Sequence, residues 1–195
     1  MSVPAMGAVF CGIFILPKNG RNGVIKMTYV KKLALAAMFV ALGIVLPLAF
    51  HLIPGGLGRA LLPMHIPVLL CGFICGWRYG LAAGVLVPIL SSLFTTVPPM
   101  FPTALSMALE LGAYGAVTGL MSKKFNVFIS LICAMLVGRV VMAVANLVFL
   151  GMQDKAYTFE AFLSGAFTTA LPGIIIQLVL IPAIIISLQK ARLIK

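Results

Sequence analysis

Long apolar runs, separated by short polar or Pro/Gly-rich segments, form the dominant pattern along this chain. An α-helix rises about 1.5 Å per residue, so about 20 mostly apolar residues cross the hydrocarbon core of a bilayer. Runs near that length cover residues 32–51, 61–76, 79–95, 103–122, 127–150 and, beginning at 162 or 168, the stretch to 188. The pattern predicts an all-α membrane protein, a bundle of about six transmembrane helices. The second and third runs are short, which favours tilting or partial re-entry.

Proline and glycine mark the breaks between these runs. Residues 51–58 form a Pro/Gly-rich loop, and residues 77–80 form a tight charged turn. Pro98, Pro99 and Pro102 each lack an N–H donor, so residues 97–102 cannot form a regular helix. The longest polar connection runs from 151 to 160, before the last apolar run.

Composition excludes a water-soluble fold. Hydrophobic residues make up 63% of the 195 positions and charged residues only 9%, whereas roughly a quarter of an average soluble domain is charged. So few polar residues cannot cover the outside of a soluble core, but in lipid the outside can be apolar. At this length we expect one domain.

The positive charge of the chain sets its orientation. The net charge is +11, from 14 Lys and Arg against 3 Asp and Glu, and the basic residues flank apolar runs, which is typical of membrane topology signals. With the N-terminus in the cytoplasm, only Arg59 and Lys155 lie outside and Arg139 lies within a span. The cytoplasmic side then holds the other basic residues, namely Lys18, Arg21, Lys26, Lys31, Lys32, Arg78, Lys123, Lys124, Lys190, Arg192 and Lys195. We therefore predict that both termini are cytoplasmic.

The first 26 residues differ from the rest. Residues 3–16 are apolar but too short to span a bilayer, and basic residues follow them. They fit an interfacial segment or a poor signal peptide, without an obvious small-residue cleavage site. We favour a translation start at Met27, so that residues 1–26 are an extension outside the fold and residues 27–195 form the transmembrane domain.

Two charged and two amide side chains fall in the interior of the predicted spans. Glu110 lies about 10 Å below the outer end of the fourth span, and Arg139 about 16 Å below the outer end of the fifth. Asn146 lies in the outer part of the fifth span, and Gln177 lies in the sixth. A charge in the bilayer costs about 2.5–3.5 kcal/mol on insertion scales, so it is usually paired or functional. We predict that the four groups converge in the outer half of the protein as a pocket open to the outside.

Alternatives remain open for each of these groups. Glu110 and Arg139 could form a closed structural salt bridge, and the two amides could be interhelical contacts without a ligand. Tyr114, one turn below Glu110, is a candidate wall of the pocket or an ordinary packing aromatic. His65, near the outer mouth of the second span, is a candidate ligand donor or a structural histidine.

Two predicted external loops resemble lids over such a pocket. Glycine gives one loop mobility, while Met and Phe give the other an apolar closure. The residues assigned to the lids are Gly55, Gly56, Arg59, Pro99, Met100 and Phe101.

Motifs for common chemistry are absent. The sequence has no Walker A motif, no Gly-rich dinucleotide fingerprint, no H-E-x-x-H and no G-x-S-x-G. It has no C-x-x-C pair, and its three acidic residues do not cluster for paired-carboxylate catalysis. We expect no enzyme activity, no cofactor and no metal site, and any energy for uptake must come from a partner.

Three stretches of sequence carry a resemblance to a known family. They are Ala37-Met38-Phe39-Val40-Ala41 in the first span, residues 62–72 (LPMHIPVLLCG) and residues 110–115 (ELGAYG). Together with about 190 residues and six predicted spans, they resemble substrate-binding S components of energy-coupling factor (ECF) vitamin transporters. The resemblance covers residues 31 to about 195.

The resemblance implies a partner-driven importer in the plasma membrane of a prokaryote. S components bind a vitamin from outside through external loops and later helices, dock through the first helix onto a transmembrane coupling protein, and are thought to topple to release substrate inside. Two cytoplasmic ATPases power the coupling protein. Ala37 and Ala41 match the Ala-rich docking motif, and their shared face, which Ala34 approximately extends, lets another helix approach closely. Packing within this protein is the alternative.

The pair Glu110 and Arg139 suggests the ligand's chemistry. The Arg139 fork suits a carboxylate or another anion, and Glu110 would accept from a polar ligand group or orient Arg139. Pantothenate, niacin or a pyridoxine-like compound fits. Three competing hypotheses are a lipid-modifying enzyme, a membrane structural or assembly subunit without ligand, and a stand-alone secondary transporter, for which the internal repeats typical of that class are missing.

Overall fold

The computed structural model describes residues 29–51, 63–151 and 171–190, and in these ranges the chain is almost entirely helical. The helices are α1 (Tyr29–His51), α2 (His65–Cys75), α3 (Trp77–Thr95), α4 (Leu105–Met121), α5 (Val127–Gly151) and α6 (Leu171–Lys190), with a π-helical turn, Met100–Ala104, before α4. Within the described ranges, five segments are long and apolar enough to cross a membrane, while α2 is shorter. The predicted all-α membrane bundle is confirmed.

Helix α4 is the centre of the described bundle. It packs most extensively against α3 and α5 and also contacts α2, while α6 has its main contacts with α2 and α5. Helix α1 lies against α2 and α3. Side chains that face α4 therefore come from several helices, which places its polar residues where groups from α2 and α5 can reach them.

Glycine allows α3 and α4 to approach backbone to backbone. A Cβ added at Gly80 or Gly115 would collide with the backbone of the other residue, and one added at Gly84 would collide with the backbone of Leu111. Small residues give close approach in membrane bundles, where helices associate through packing and not through a hydrophobic driving force. This glycine seam (Gly80, Gly84 and Gly115) fixes α4 against α3 and leaves the other faces of α4 to carry larger side chains.

Two local signals end the helices around α3. Gly76 has φ +98°, a conformation that side-chain-bearing residues rarely adopt, and its N–H bonds to Gly72 O at 3.1 Å to close α2. At the other end Thr96 is left-handed, and the hydroxyls of Ser91 and Thr95 each donate to Val97 O at 3.0 Å. The prolines that follow prevent the helix from continuing, as predicted. Phe101 has non-helical φ and ψ inside the π-helical turn.

Candidate functional site

Glu110 is the hub of a polar cluster in the interior of the bundle. Its Oε1 accepts a hydrogen bond from the Tyr114 hydroxyl at 2.8 Å and lies 3.1 Å from Arg139 Nη1. Glu110 is 1% exposed and Arg139 8% exposed. The predicted juxtaposition of acid and base is thus present, and it forms a buried ion pair between α4 and α5. A buried carboxylate needs such partners, because its desolvation is otherwise uncompensated.

His65 joins the same cluster from α2. Its Nε2 lies 3.9 Å from Glu110 Oε2, and its ring is tilted by 53° against the Tyr114 ring, with centroids 5.3 Å apart. Neither ring nitrogen has a hydrogen-bond partner among the described residues. The sequence placed His65 near the outer mouth of its span. In the structure it is buried beside Glu110, so α2 brings a fourth polar group to the pair.

A cavity of about 160 Å³ lies beside the ion pair, between α4, α5 and α6. Its lining residues are Tyr114, Ile132, Met135, Leu136, Arg139, Ile174 and Gln177. A cavity of roughly 150 Å³ holds a benzene-sized molecule, so this one suits a small ligand. Its polar groups are few and its wall is mainly apolar, which is typical of small-molecule sites.

Arg139 and Gln177 are the residues of the cavity wall whose side chains carry nitrogen donors. Among the described residues, Glu110 and Met142 both contact Arg139 Nη1, which leaves Nε and Nη2 to donate elsewhere. Gln177 is 1% exposed, and its Nε2 has no hydrogen-bond partner among the described residues. Two donor-bearing side chains in the wall of one cavity suit an acceptor-bearing ligand, above all a carboxylate.

The cluster lies at half depth along α5. Arg139 is twelve residues from Val127 and twelve from Gly151, or about 18 Å from either end. The sequence placed the group in the outer half of the protein. That prediction counted Arg139 about 16 Å below the outer end of its run, which is nearly the same depth, so Arg139 lies close to the middle of its helix by either count.

A family model decides what kind of protein this is. The model described as ECF transporter, substrate-specific component, matches residues 31–185. The chain belongs to this family. The resemblance drawn from the sequence is thereby confirmed, and the protein is a substrate-binding S component of a transporter, in a family that is not an enzyme family. No curated protein and no solved structure matches the chain.

The remaining predicted site residues of the S component lie apart from the cavity wall. Asn146 is buried on α5, two turns from Arg139 toward Gly151, and does not line the cavity. In the predicted lids, Pro99, Met100 and Phe101 are exposed, and the Phe101 ring contacts Phe149 with centroids 5.7 Å apart. Gly55, Gly56 and Arg59 lie outside the described residues, as do residues 1–26.

The predicted docking face of the S component is exposed. Ala34, Ala37 and Ala41 are all exposed on α1, while Ala36 and Phe39 on the other side are buried in the core. The small residues of α1 are therefore available to another helix. They are not used to pack α1 onto the described part of this chain.

Several residues of the site were not found from the sequence. Ile132, Met135, Leu136 and Ile174 line the cavity, but nearly every position in these spans is apolar, so hydrophobicity does not separate cavity walls from lipid-facing positions. Gly138 was also missed. A Cβ there would collide with the Tyr114 ring, so this glycine makes room for the tyrosine that bonds Glu110. The sequence signal for Gly138 was its position next to Arg139, the charged residue within the span.

Metal ligation has no support in the described ranges, where no three His, Cys, Asp or Glu side chains come together in a group that could hold a metal ion. The nitrogen donors of the lining residues are the guanidinium of Arg139, which repels cations and attracts anions, and the amide nitrogen of Gln177. The chemistry available at the site is binding, through hydrogen bonds to an acceptor.

Proposed function

We propose that this S component captures a small water-soluble vitamin or vitamin precursor with a carboxylate group from outside and delivers it to an ATP-driven ECF importer in a prokaryotic plasma membrane. The observation that supports this most is that Arg139 and Gln177 both line one cavity. The Gln177 amide nitrogen has no hydrogen-bond partner among the described residues. A buried donor without a partner is costly, and a ligand oxygen would satisfy it.

The roles of the cluster follow from its contacts. Arg139 binds the carboxylate of the ligand through the donors that Glu110 does not use, and Gln177 donates to the same group or to a neighbouring carbonyl. Glu110 already accepts from Tyr114 and pairs with Arg139, so it orients the guanidinium and does not itself bind ligand. Tyr114 and the apolar side chains enclose the body of the ligand, as in other small-molecule sites.

Delivery depends on partners. The exposed alanines of α1 offer a face on which a helix of a transmembrane coupling protein could pack closely. The sequence has no nucleotide-binding motif, so hydrolysis of ATP belongs to two cytoplasmic ATPase subunits that act through the coupling protein. We propose no catalytic step in this chain.

One observation favours a second candidate, a structural membrane subunit without ligand. The Glu110–Arg139 pair is buried and satisfies both charges, as a purely structural ion pair would. That candidate does not explain why a cavity lies beside the ion pair or why the Gln177 amide nitrogen has no hydrogen-bond partner among the described residues. A stand-alone secondary transporter is distinguished by transport in liposomes that hold this chain alone.

The deciding experiment is a search for bound small molecules. The protein is purified in mild detergent, co-purifying compounds are identified by mass spectrometry, and pantothenate, nicotinate and pyridoxine are titrated calorimetrically. We expect tight binding of a carboxylate, abolished in Arg139→Ala and weakened at least about tenfold in Arg139→Lys, which keeps the charge but loses the planar fork.

Arg78→Lys is the matched control, because Arg78 lies at the exposed turn that begins α3, where it stacks over Trp77. It should bind like the parent protein. No co-purifying compound and no binding across a wider panel of vitamins and precursors would leave the structural subunit as the better account.

A further inference from the structure

The polar cluster beside the cavity is electrically balanced before a ligand binds. Glu110 and Arg139 carry opposite charges 3.1 Å apart, and His65 and Tyr114 complete the cluster as polar neighbours. A carboxylate at Arg139 brings a second negative charge to one guanidinium, at a depth where an uncompensated charge is costly. The inference below rests on the proposed function, because it takes the ligand to be a carboxylate.

His65 is placed where a compensating positive charge would act. Its Nε2 lies 3.9 Å from Glu110 Oε2, on the side of the carboxylate away from the oxygen that meets Arg139. The side chain is 2% exposed, and neither ring nitrogen has a hydrogen-bond partner among the described residues. Buried polar atoms in this condition are rare and call for an explanation. Imidazole is also the side chain whose charge changes in the physiological pH range.

We propose that the cavity takes up a monocarboxylate together with one proton, and that His65 holds the proton. When the ligand draws donors of Arg139 toward the cavity, Glu110 loses part of its counter-charge, and an imidazolium at His65 restores it. The loaded cluster then holds two carboxylates, one guanidinium and one imidazolium, and is again neutral. The proton comes from hydronium or a buffer acid, whose bond to the proton breaks as the N–H bond at the ring nitrogen forms, and no other covalent bond changes.

Among the described groups around Glu110, His65 is the one placed to bind the compensating proton. From α4, Glu110 and Tyr114 face the imidazole, and Arg139 on α5 reaches it only through Glu110. The described basic residues of α1, α3 and α6 all lie in a terminal turn of their helix, and none of them forms an ion pair with His65 among the described residues. They are Lys31, Lys32, Arg78 and Lys190.

Proton-coupled binding has a measurable signature. When each ligand brings one proton into the complex, its Kd rises about tenfold per pH unit wherever the free protein lacks that proton. A neutral analogue that fills the same cavity adds no charge, so its Kd should not depend on pH. The contrast between a carboxylate and its neutral counterpart therefore isolates the charge from the shape of the ligand.

The test uses two matched pairs of probes, pantothenate with pantothenol and nicotinate with nicotinamide, titrated into the full chain in detergent between about pH 6 and pH 8. Each titration is repeated in buffers with different ionisation enthalpies, which gives the number of protons taken up. We expect a carboxylate to bind with uptake of about one proton and the steep pH dependence above, and this uptake to disappear in His65→Gln, which retains a donor toward Glu110. His51→Gln removes the other histidine of the chain and should leave the uptake unchanged.

Other outcomes overturn the inference. A carboxylate that binds with a flat pH profile and no proton uptake shows that the cluster tolerates the added charge, while the proposed capture function stands. Loss of the uptake in His51→Gln instead of His65→Gln also contradicts it and leaves capture intact. Preferential binding of pantothenol or nicotinamide contradicts it as well; capture of a small molecule then stands, but the carboxylate in the proposed function does not. Binding of none of the four probes overturns the inferred ligand class, and the proposed function is then decided separately by the wider panel.

Discussion

Tyr114 lies one helical turn after Glu110 on α4 and donates its hydroxyl to Glu110 Oε1 at 2.8 Å. The bond joins residues of the same helix, so it holds the carboxylate without needing a contact between helices. Arg139 meets the same oxygen from α5. The tyrosine therefore sets the direction in which the ion pair forms and, through it, the position of the guanidinium at the cavity.

Tyr114→Phe should lower the free energy of unfolding by about 1–3 kcal/mol, because the lost hydroxyl leaves a buried carboxylate with one donor fewer. Unfolding in mixtures of a mild detergent and dodecyl sulfate measures the change. Tyr79→Phe is the control, since the Tyr79 hydroxyl has no hydrogen-bond partner among the described residues. Equal stability of the two variants would show that the bond to Glu110 contributes nothing to the fold.

Gln177→Leu separates a ligand role from a structural one. If Gln177 Nε2 donates to a ligand carboxylate, the loss of a hydrogen bond to a charged group should weaken binding about tenfold or more. The same change removes a buried donor that has no protein partner among the described residues, so stability without ligand should hold or rise. Calorimetry measures the first effect and detergent unfolding the second.

Gln189→Leu makes the matching change at an exposed position of α6, three turns from Gln177, and should leave binding unchanged. If Gln177→Leu lowers stability without ligand and leaves affinity intact, the amide is a structural contact between helices, and Arg139 alone would carry recognition.

Gly115→Ala should loosen the contact between α3 and α4. The added Cβ would collide with the backbone of Gly80, and backbone cannot move aside as a flexible side chain can. Overpacking of this kind typically costs about 1–3 kcal/mol. Gly151→Ala provides the opposite case, because nothing lies within 4 Å of a Cβ at that position and Ala is the better helix former. Comparable unfolding curves for both variants would mean that the glycine seam is not a tight contact.

Ala41→Leu tests the docking face. The larger side chain should block close approach of a partner helix and abolish co-purification with the coupling protein and its ATPases, while ligand affinity stays the same because α1 does not line the cavity. Ala82→Leu introduces the same side chain at an exposed position of α3 and should co-purify normally. Retention of the complex by Ala41→Leu would place docking on another surface.

The sequence predicted the partners of the ion pair but not its surroundings. Glu110 and Arg139 are detectable because a charge within an apolar span is costly and calls for a counter-charge. Depth along each helix follows from counting residues, whereas the direction in which a side chain points depends on the packing of its helix. His65 shows the difference, since only the contact of α2 with α4 reveals that it meets Glu110.

The glycine seam and the apolar cavity wall could not be predicted for a related reason. In a soluble bundle an apolar stripe marks the core, but in lipid both the inner and outer faces of a helix are apolar. Gly80 and Gly115 were visible in the sequence, yet small residues are common in membrane helices. Their pairing becomes evident only when α3 and α4 are placed side by side.

Gly138 shows that the residues around the cavity differ in how freely they can be substituted during evolution. A larger residue there would displace the Tyr114 ring and with it the support of Glu110. Ile132 and Leu136 also line the cavity, but they are 47% and 58% exposed, so their size can vary without disturbing the ion pair. New ligand preferences should therefore arise by substitutions on that wall, while the charge that holds the ligand stays in place.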